Sequence, residues 1–134
     1  MKALRDTVWQ RAQGRCEYCQ MPQHLVDLRH QLDHIVAEQH RGATTENNLA
    51  LACYSCNKNK GPNISSVDPA TEQKTGLFNP RTDTWSEHFR WTGAILQGLT
   101  PVGRATVELL RINSHDRVDL RQSLIAEGLF PPVG

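Results

Sequence analysis

Four cysteines fall as two pairs, Cys16-x2-Cys19 and Cys53-x2-Cys56. Thiolates at this spacing sit on tight turns, and two such turns can converge on one ion. The pattern reads as a tetrahedral four-cysteine zinc site. Two disulfides would need an oxidising compartment, and a redox Cys-x-x-Cys pair would not need its duplicate. Between Cys19 and Cys53 lie 33 residues, more than a simple zinc ribbon spans, so a further element must be built inside that loop. The loop carries Asp33-His34 and Asn48, and Asn57 directly follows Cys56. An imidazole that titrates near neutrality suits a general base taking a proton from water. The oxygens of Asp33 and Asn57 are hard ligands suited to Mg2+ or Mn2+. Zinc at Cys56 would fix the start of the helix that presents Asn57.

The elements that must position these groups follow from periodicity. Leu4, Val8 and Ala12 recur at helical spacing, which predicts a helix over residues 4–13 stopped by Gly14. Val26, Leu28, Leu32 and Val36 share one parity, which predicts a strand over 26–36. Residues 38–48 read as a polar loop, 49–52 as a short apolar strand, and 54–60 as a short helix closed by Gly61-Pro62. The order strand, loop, strand, helix puts Asp33 and His34 on the first strand. In a straight strand their side chains point to opposite faces. Both serve one reacting group only if the strand ends or bends there, or if metal and water lie on opposite sides of it. Residues 63–84, rich in Pro, Ser, Thr, Asp and Asn, read as an extended surface connection. A hairpin turning at Thr92-Gly93 is predicted within 85–99, then a helix started by Thr100-Pro101, then a last helix capped by Asp116 and stopped by Gly128.

Cys16-Glu17-Tyr18-Cys19, Asp33-His34-Ile35-Val36, Asn48-Leu49 and Cys53-x2-Cys56-Asn57-x2-Lys60-Gly61, taken together, resemble the HNH nucleases with a zinc-stapled ββα-metal core. The resemblance covers roughly residues 5–61. From His34 it is 14 residues to Asn48 and 23 to Asn57. Residues 77–113, with Asn79-Pro80-Arg81, Trp85, His88-Phe89 and Gly103-Arg104-Ala105-Thr106, resemble an extension on bacterial stand-alone HNH proteins. The resemblance implies an α+β fold: a ββα-metal core stapled by four cysteines, an N-terminal helix, and a C-terminal extension of a hairpin plus helices. Residues 1–63 would be the nuclease core and 64–134 the extension packed on it as one unit. It implies DNA phosphodiester hydrolysis leaving 5′-phosphate and 3′-hydroxyl ends. His34 would activate water, Asp33 and Asn57 would hold one Mg2+ or Mn2+, and Asn48 would order the loop and orient His34. Two departures stand out. The last letter of the name is Asn57 rather than His, as in many members, which favours Mg2+ or Mn2+ over tight Zn2+ there, and Ala37 stands where Pro is common.

Phosphodiester cleavage needs a base, a cation against the developing charge, and hard oxygens to hold that cation, and this set supplies all three. Arg41, Lys58 and Lys60 would form a local basic patch for DNA. His88, amid Trp85 and Phe89, is an accessory candidate whose ordinary reading is aromatic packing. The whole chain of 134 residues has net charge +1, so composition alone nominates no nucleic-acid partner. No apolar run could span a membrane, and the first residues show no export signal, which predicts a cytoplasmic location. One catalytic centre cuts one strand, so double-strand cleavage would need a homodimer or two encounters. The rival reading is a zinc-binding nucleic-acid module without turnover. A protein-binding zinc domain is a third, and it leaves Asp33, His34 and Asn57 without explanation.

Overall fold

The computed structural model of the chain describes residues 2–132. Helix α1 (Lys2–Ala12) carries the predicted apolar stripe. Its Val8 is buried against Leu49 and Leu51, with Leu4, Trp9, Ala12 and Leu32 packed around them. Gln13 and Gly14 both take positive φ, which ends the helix. A bridge between Arg15 and Pro22 then closes the first cysteine turn.

Strands β1 (Gln31–His34) and β2 (Leu49–Ala52) pair antiparallel, with Asp33 opposite Ala50 and His34 opposite Leu49. The strand predicted over 26–36 is thus much shorter. A strand extends only as far as its ladder, and β2 offers four partners. Upstream the chain turns through a single 3-10 turn, Gln23–Leu25, and Leu28 is 58% exposed. Helix α2 (Tyr54–Lys60) follows β2 as expected and ends at Gly61.

Residues 63–84 contain more than a connection. Strands β3 (Ser65–Val67) and β4 (Lys74–Gly76) form a small hairpin. Both Asp68 oxygens accept from Arg104, Nε and Nη2, at 2.9 Å. The one-turn helix α3 (Trp85–His88) leads into the hairpin of β5 (Phe89–Thr92) and β6 (Ile95–Gly98). Thr92 pairs with Ile95, so the turn residues are Gly93 and Ala94, one position beyond the expectation. Helix α4 (Pro101–Leu109) starts as predicted, with Thr100 Oγ1 accepting the Gly103 N–H at 3.0 Å. Helix α5 (His115–Ala126) has Ser114 at its N-cap, and Asp116 lies inside its first turn.

The main apolar core draws on both halves of the sequence: Cys16, Tyr18, Phe78, Phe89, Leu110 and Leu124 belong to one buried cluster. Trp85 Nε1 donates to the Tyr18 carbonyl at 2.9 Å, and Arg81 pairs with Glu17 of the first cysteine turn. Helices mixed with two-stranded antiparallel sheets make this an α+β chain.

Candidate functional site

Burial of Cys16, Cys19, Cys53 and Cys56 brings four sulfurs together within 4.8 Å of one another. Cys19 Sγ and Cys53 Sγ are 3.7 Å apart. Zinc–sulfur bonds of about 2.3 Å in a tetrahedron place sulfurs roughly 3.8 Å apart, so the donor set fits Zn2+. Each turn is shaped for this. Cys16 Sγ accepts the Cys19 N–H, and Cys53 Sγ accepts the Cys56 N–H, both at 3.4 Å. The second of these bonds caps α2, so the cysteine cluster and the start of that helix are one construction. A further residue reaches the sulfurs from α5. Arg117 Nη2 donates to Cys56 Sγ at 3.0 Å and lies 3.8 Å from Cys53 Sγ. Burial works against the Arg117 charge. The Cys56, Cys19 and Cys53 sulfurs more than offset it, so its pKa ends above the ordinary arginine value.

Asp33 and His34 meet different partners. Asp33 is 4% exposed and faces the core. Its Oδ2 accepts from Tyr18 Oη at 2.7 Å, and both its oxygens lie 3.3 Å from Lys60 Nζ. Lys60, 2% exposed, also donates to the carbonyls of His34 and Ile35 at 3.2 Å. Burial pushes the Asp33 carboxyl up, and Lys60 and the Tyr18 hydroxyl oppose this only in part. The position is built for a positive charge, which Lys60 supplies in this structure. Asn57 lies three residues before Lys60 on α2, and its Nδ2 donates to Gln31 Oε1 at 2.6 Å. Asp33 and Asn57 are hard oxygen donors by type, but here Asp33 is taken up by Lys60 and Tyr18, and Asn57 bonds to Gln31.

His34 ends β1, and its Nε2 is 3.0 Å from Thr44 Oγ1. The loop that brings Thr44 there is clamped by Asn48. The Asn48 amide oxygen accepts the Val36 N–H at 2.9 Å, while its Nδ2 donates to the Val36 and Ala43 carbonyls at 2.9 and 2.8 Å. Asn48 therefore holds the residue before Thr44, and among the described residues its side chain makes no hydrogen bond to His34. Gly42 permits this closure: a Cβ there would lie 1.7 Å from the Val36 oxygen.

The basic patch read from the sequence is only partly assembled. Arg41 and Lys58 are exposed, but Lys60 is interior and committed to Asp33. Lys60 as a DNA contact is corrected on that ground: a buried, paired ammonium cannot also face a phosphate backbone. His88 packs edge-on to Phe78, and its Nδ1 is 2.6 Å from Thr100 Oγ1. It does not line the groove beside His34. Thr44 and Arg117 escape sequence reasoning, since neither carries a pattern of its own. Asp33 and Lys60 are visible there as residues, but not as a pair.

Residues 16–63 match the family model described as HNH endonuclease. Over 114 residues the chain is 27% identical to the Septu protein PtuB of Bacillus thuringiensis. The match covers 84% of this chain and 42% of that protein, so the chain spans less than half the length of this relative. No solved structure matches. The four clustered cysteines lie inside the matched segment, so the chain is similar to HNH endonucleases over residues 16–63.

Proposed function

We propose that the chain hydrolyses DNA phosphodiester bonds, with His34 as the general base. The observation that carries this reading is the placement of His34. It sits at the end of a strand inside the HNH-matching segment, tied to Thr44 and opening on a groove. His34 takes the proton from a water molecule. The water oxygen attacks phosphorus, the P–O3′ bond breaks, and the leaving oxygen is protonated, giving 5′-phosphate and 3′-hydroxyl ends. Asn48 keeps the loop closed, so that Thr44 stays beside the imidazole. A Mg2+ or Mn2+ ion at Asp33 and Asn57 would supply charge stabilisation for the phosphate. Zn2+ on the four cysteines supports the start of α2 and does not take part in the reaction. Residues 64–134 act as an extension packed on the core, and Arg41 and Lys58 contact the DNA backbone. Among the described residues no helix is long and apolar enough to cross a membrane.

The test is conversion of supercoiled plasmid to relaxed circle. Cutting in Mg2+ or Mn2+ that is abolished by EDTA, with the zinc still bound, supports the reading. No cutting in either metal by zinc-loaded protein would favour the non-catalytic nucleic-acid module.

A further inference from the structure

A groove of about 400 Å³ runs beside His34, and Arg5, Trp9, Arg29, Gln31 and Thr44 help to line it. No carboxylate lines it among the described residues. Arg5 and Trp9 are four apart on α1 and share one helix face. The Arg29 guanidinium lies over the Trp9 indole, 4.8 Å from its centroid. Trp9 in turn stacks on His30, with centroids 6.1 Å apart and planes 24° apart. His30 is itself pinned, its Nε2 lying 2.7 Å from the Met21 carbonyl oxygen. This stack fixes where the Arg29 charge sits. Arg5 and Arg29 are both exposed, and among the described residues neither pairs with a carboxylate. Two open guanidiniums, an aromatic support and an imidazole in one acid-free groove suit a phosphodiester backbone. We infer that Arg5 and Arg29, with Trp9 as the support of Arg29, hold the phosphates that flank the bond presented to His34.

The inference rests on the nuclease reading and names how that site takes its substrate. It also accounts for a chain of net charge +1 acting on DNA. The charge that matters is local, and it comes from two residues far apart in sequence.

The experiment is binding of a short fluorescent DNA duplex to the full chain in Ca2+, between about 50 and 200 mM salt, beside plasmid cutting in Mg2+. Removing one phosphate-neutralising charge should flatten the slope of log affinity against log salt by about 0.9. Arg5→Gln and Arg29→Gln should each show that change and weaken binding about tenfold at low salt, the scale of one charged hydrogen bond. Arg29→Lys should retain most of the slope, because the charge remains. Arg90→Gln, on β5 where Arg90 bonds to Gln97, should leave both quantities unchanged. Wild-type affinity and slope in Arg5→Gln and Arg29→Gln, while the unsubstituted protein cuts plasmid, would overturn the groove and leave the nuclease reading standing. Flattened slopes in a protein that never cuts would support the groove and overturn the nuclease. An unsubstituted protein that neither binds nor cuts would overturn both.

Discussion

Arg117 of α5 donates to Cys56 of the HNH-matching segment, Nη2 to Sγ, at 3.0 Å across 61 positions of sequence. Four thiolates around Zn2+ carry two net negative charges, and this guanidinium offsets part of that charge in a buried place. The C-terminal half would therefore help hold a zinc ion on these cysteines, as well as cover the core. Outer partners of metal ligands are typically worth about 10–100-fold in affinity. Arg117→Met should release zinc to a chelator faster by a factor on that order, and Arg117→Lys should fall between. Chelator competition followed with a zinc dye measures this. Unchanged release in Arg117→Met would show that the interaction carries no weight.

The zinc site should be indispensable to folding. Structural zinc contributes about 10–16 kcal/mol in small peptides at neutral pH, at least comparable to the stability of a typical domain. Cys53→Ala also removes the cap of α2. The variant should be insoluble or unfolded by circular dichroism. A zinc-free, reduced protein that still melts cooperatively would contradict this.

The zinc turns, β2, α2 and the Thr100 cap are legible in the sequence because each rests on a local rule: paired cysteines, a short apolar run, a polar stretch closed by Gly61-Pro62, and Thr-Pro at a helix start. The strand expected over 26–36 is too long because strand length depends on the partner, and β2 is only Leu49–Ala52. The β3–β4 hairpin leaves no clear pattern because its short strands are mostly polar, and Asp68 binds Arg104, 36 positions away. In the site, His34 stands out in its loop context, and strand alternation alone shows that Asp33 and His34 point apart. Lys60 reads from the sequence as part of a basic patch for DNA. Only the tertiary fold puts that side chain on Asp33, and only the fold brings Arg5 and Arg29 to one groove.

Lys60 offers a contrast with its exposed helix neighbour Lys58. Removing one member of a buried ion pair costs about 3–5 kcal/mol, because the other charge is left uncompensated. Lys60→Met should lower the melting temperature well below that of Lys58→Met. Equal melting of the two variants would show that the Asp33 pair is energetically silent.

Asn57→Ala tests the proposed cation ligand with little risk to the fold. It loses one exposed hydrogen bond to Gln31, worth about 0.5–1.5 kcal/mol. Zinc content should stay full while plasmid cutting falls. If cutting per folded molecule is unchanged and only stability drops, Asn57 is a structural residue.

Asp68 sets an acid limit on the second half. The Arg104 guanidinium, with the Ala70 N–H and Thr71 hydroxyl, holds its carboxyl well below the usual range. A depressed native value means that the stabilisation is fully present above the unfolded value of about 3.9 and is lost as pH falls below it. The wild type should therefore out-melt Asp68→Asn at neutral pH, and the gap should begin to narrow as pH falls below about 4. A gap that persists unchanged in acid would contradict the assignment.

The most direct measurement is plasmid cutting by His34→Ala, read beside duplex binding and zinc content. His34 is half-buried, and among the described residues its side chain hydrogen-bonds only to Thr44, so folding and zinc loading should hardly change. Phosphate contacts supply most nonspecific DNA binding, so affinity should persist. Loss of a positioned general base costs about 10²–10⁴ in rate. The account predicts a folded, zinc-loaded protein that binds duplex DNA and cuts it at least about a hundredfold more slowly. Wild-type cutting by His34→Ala would contradict it.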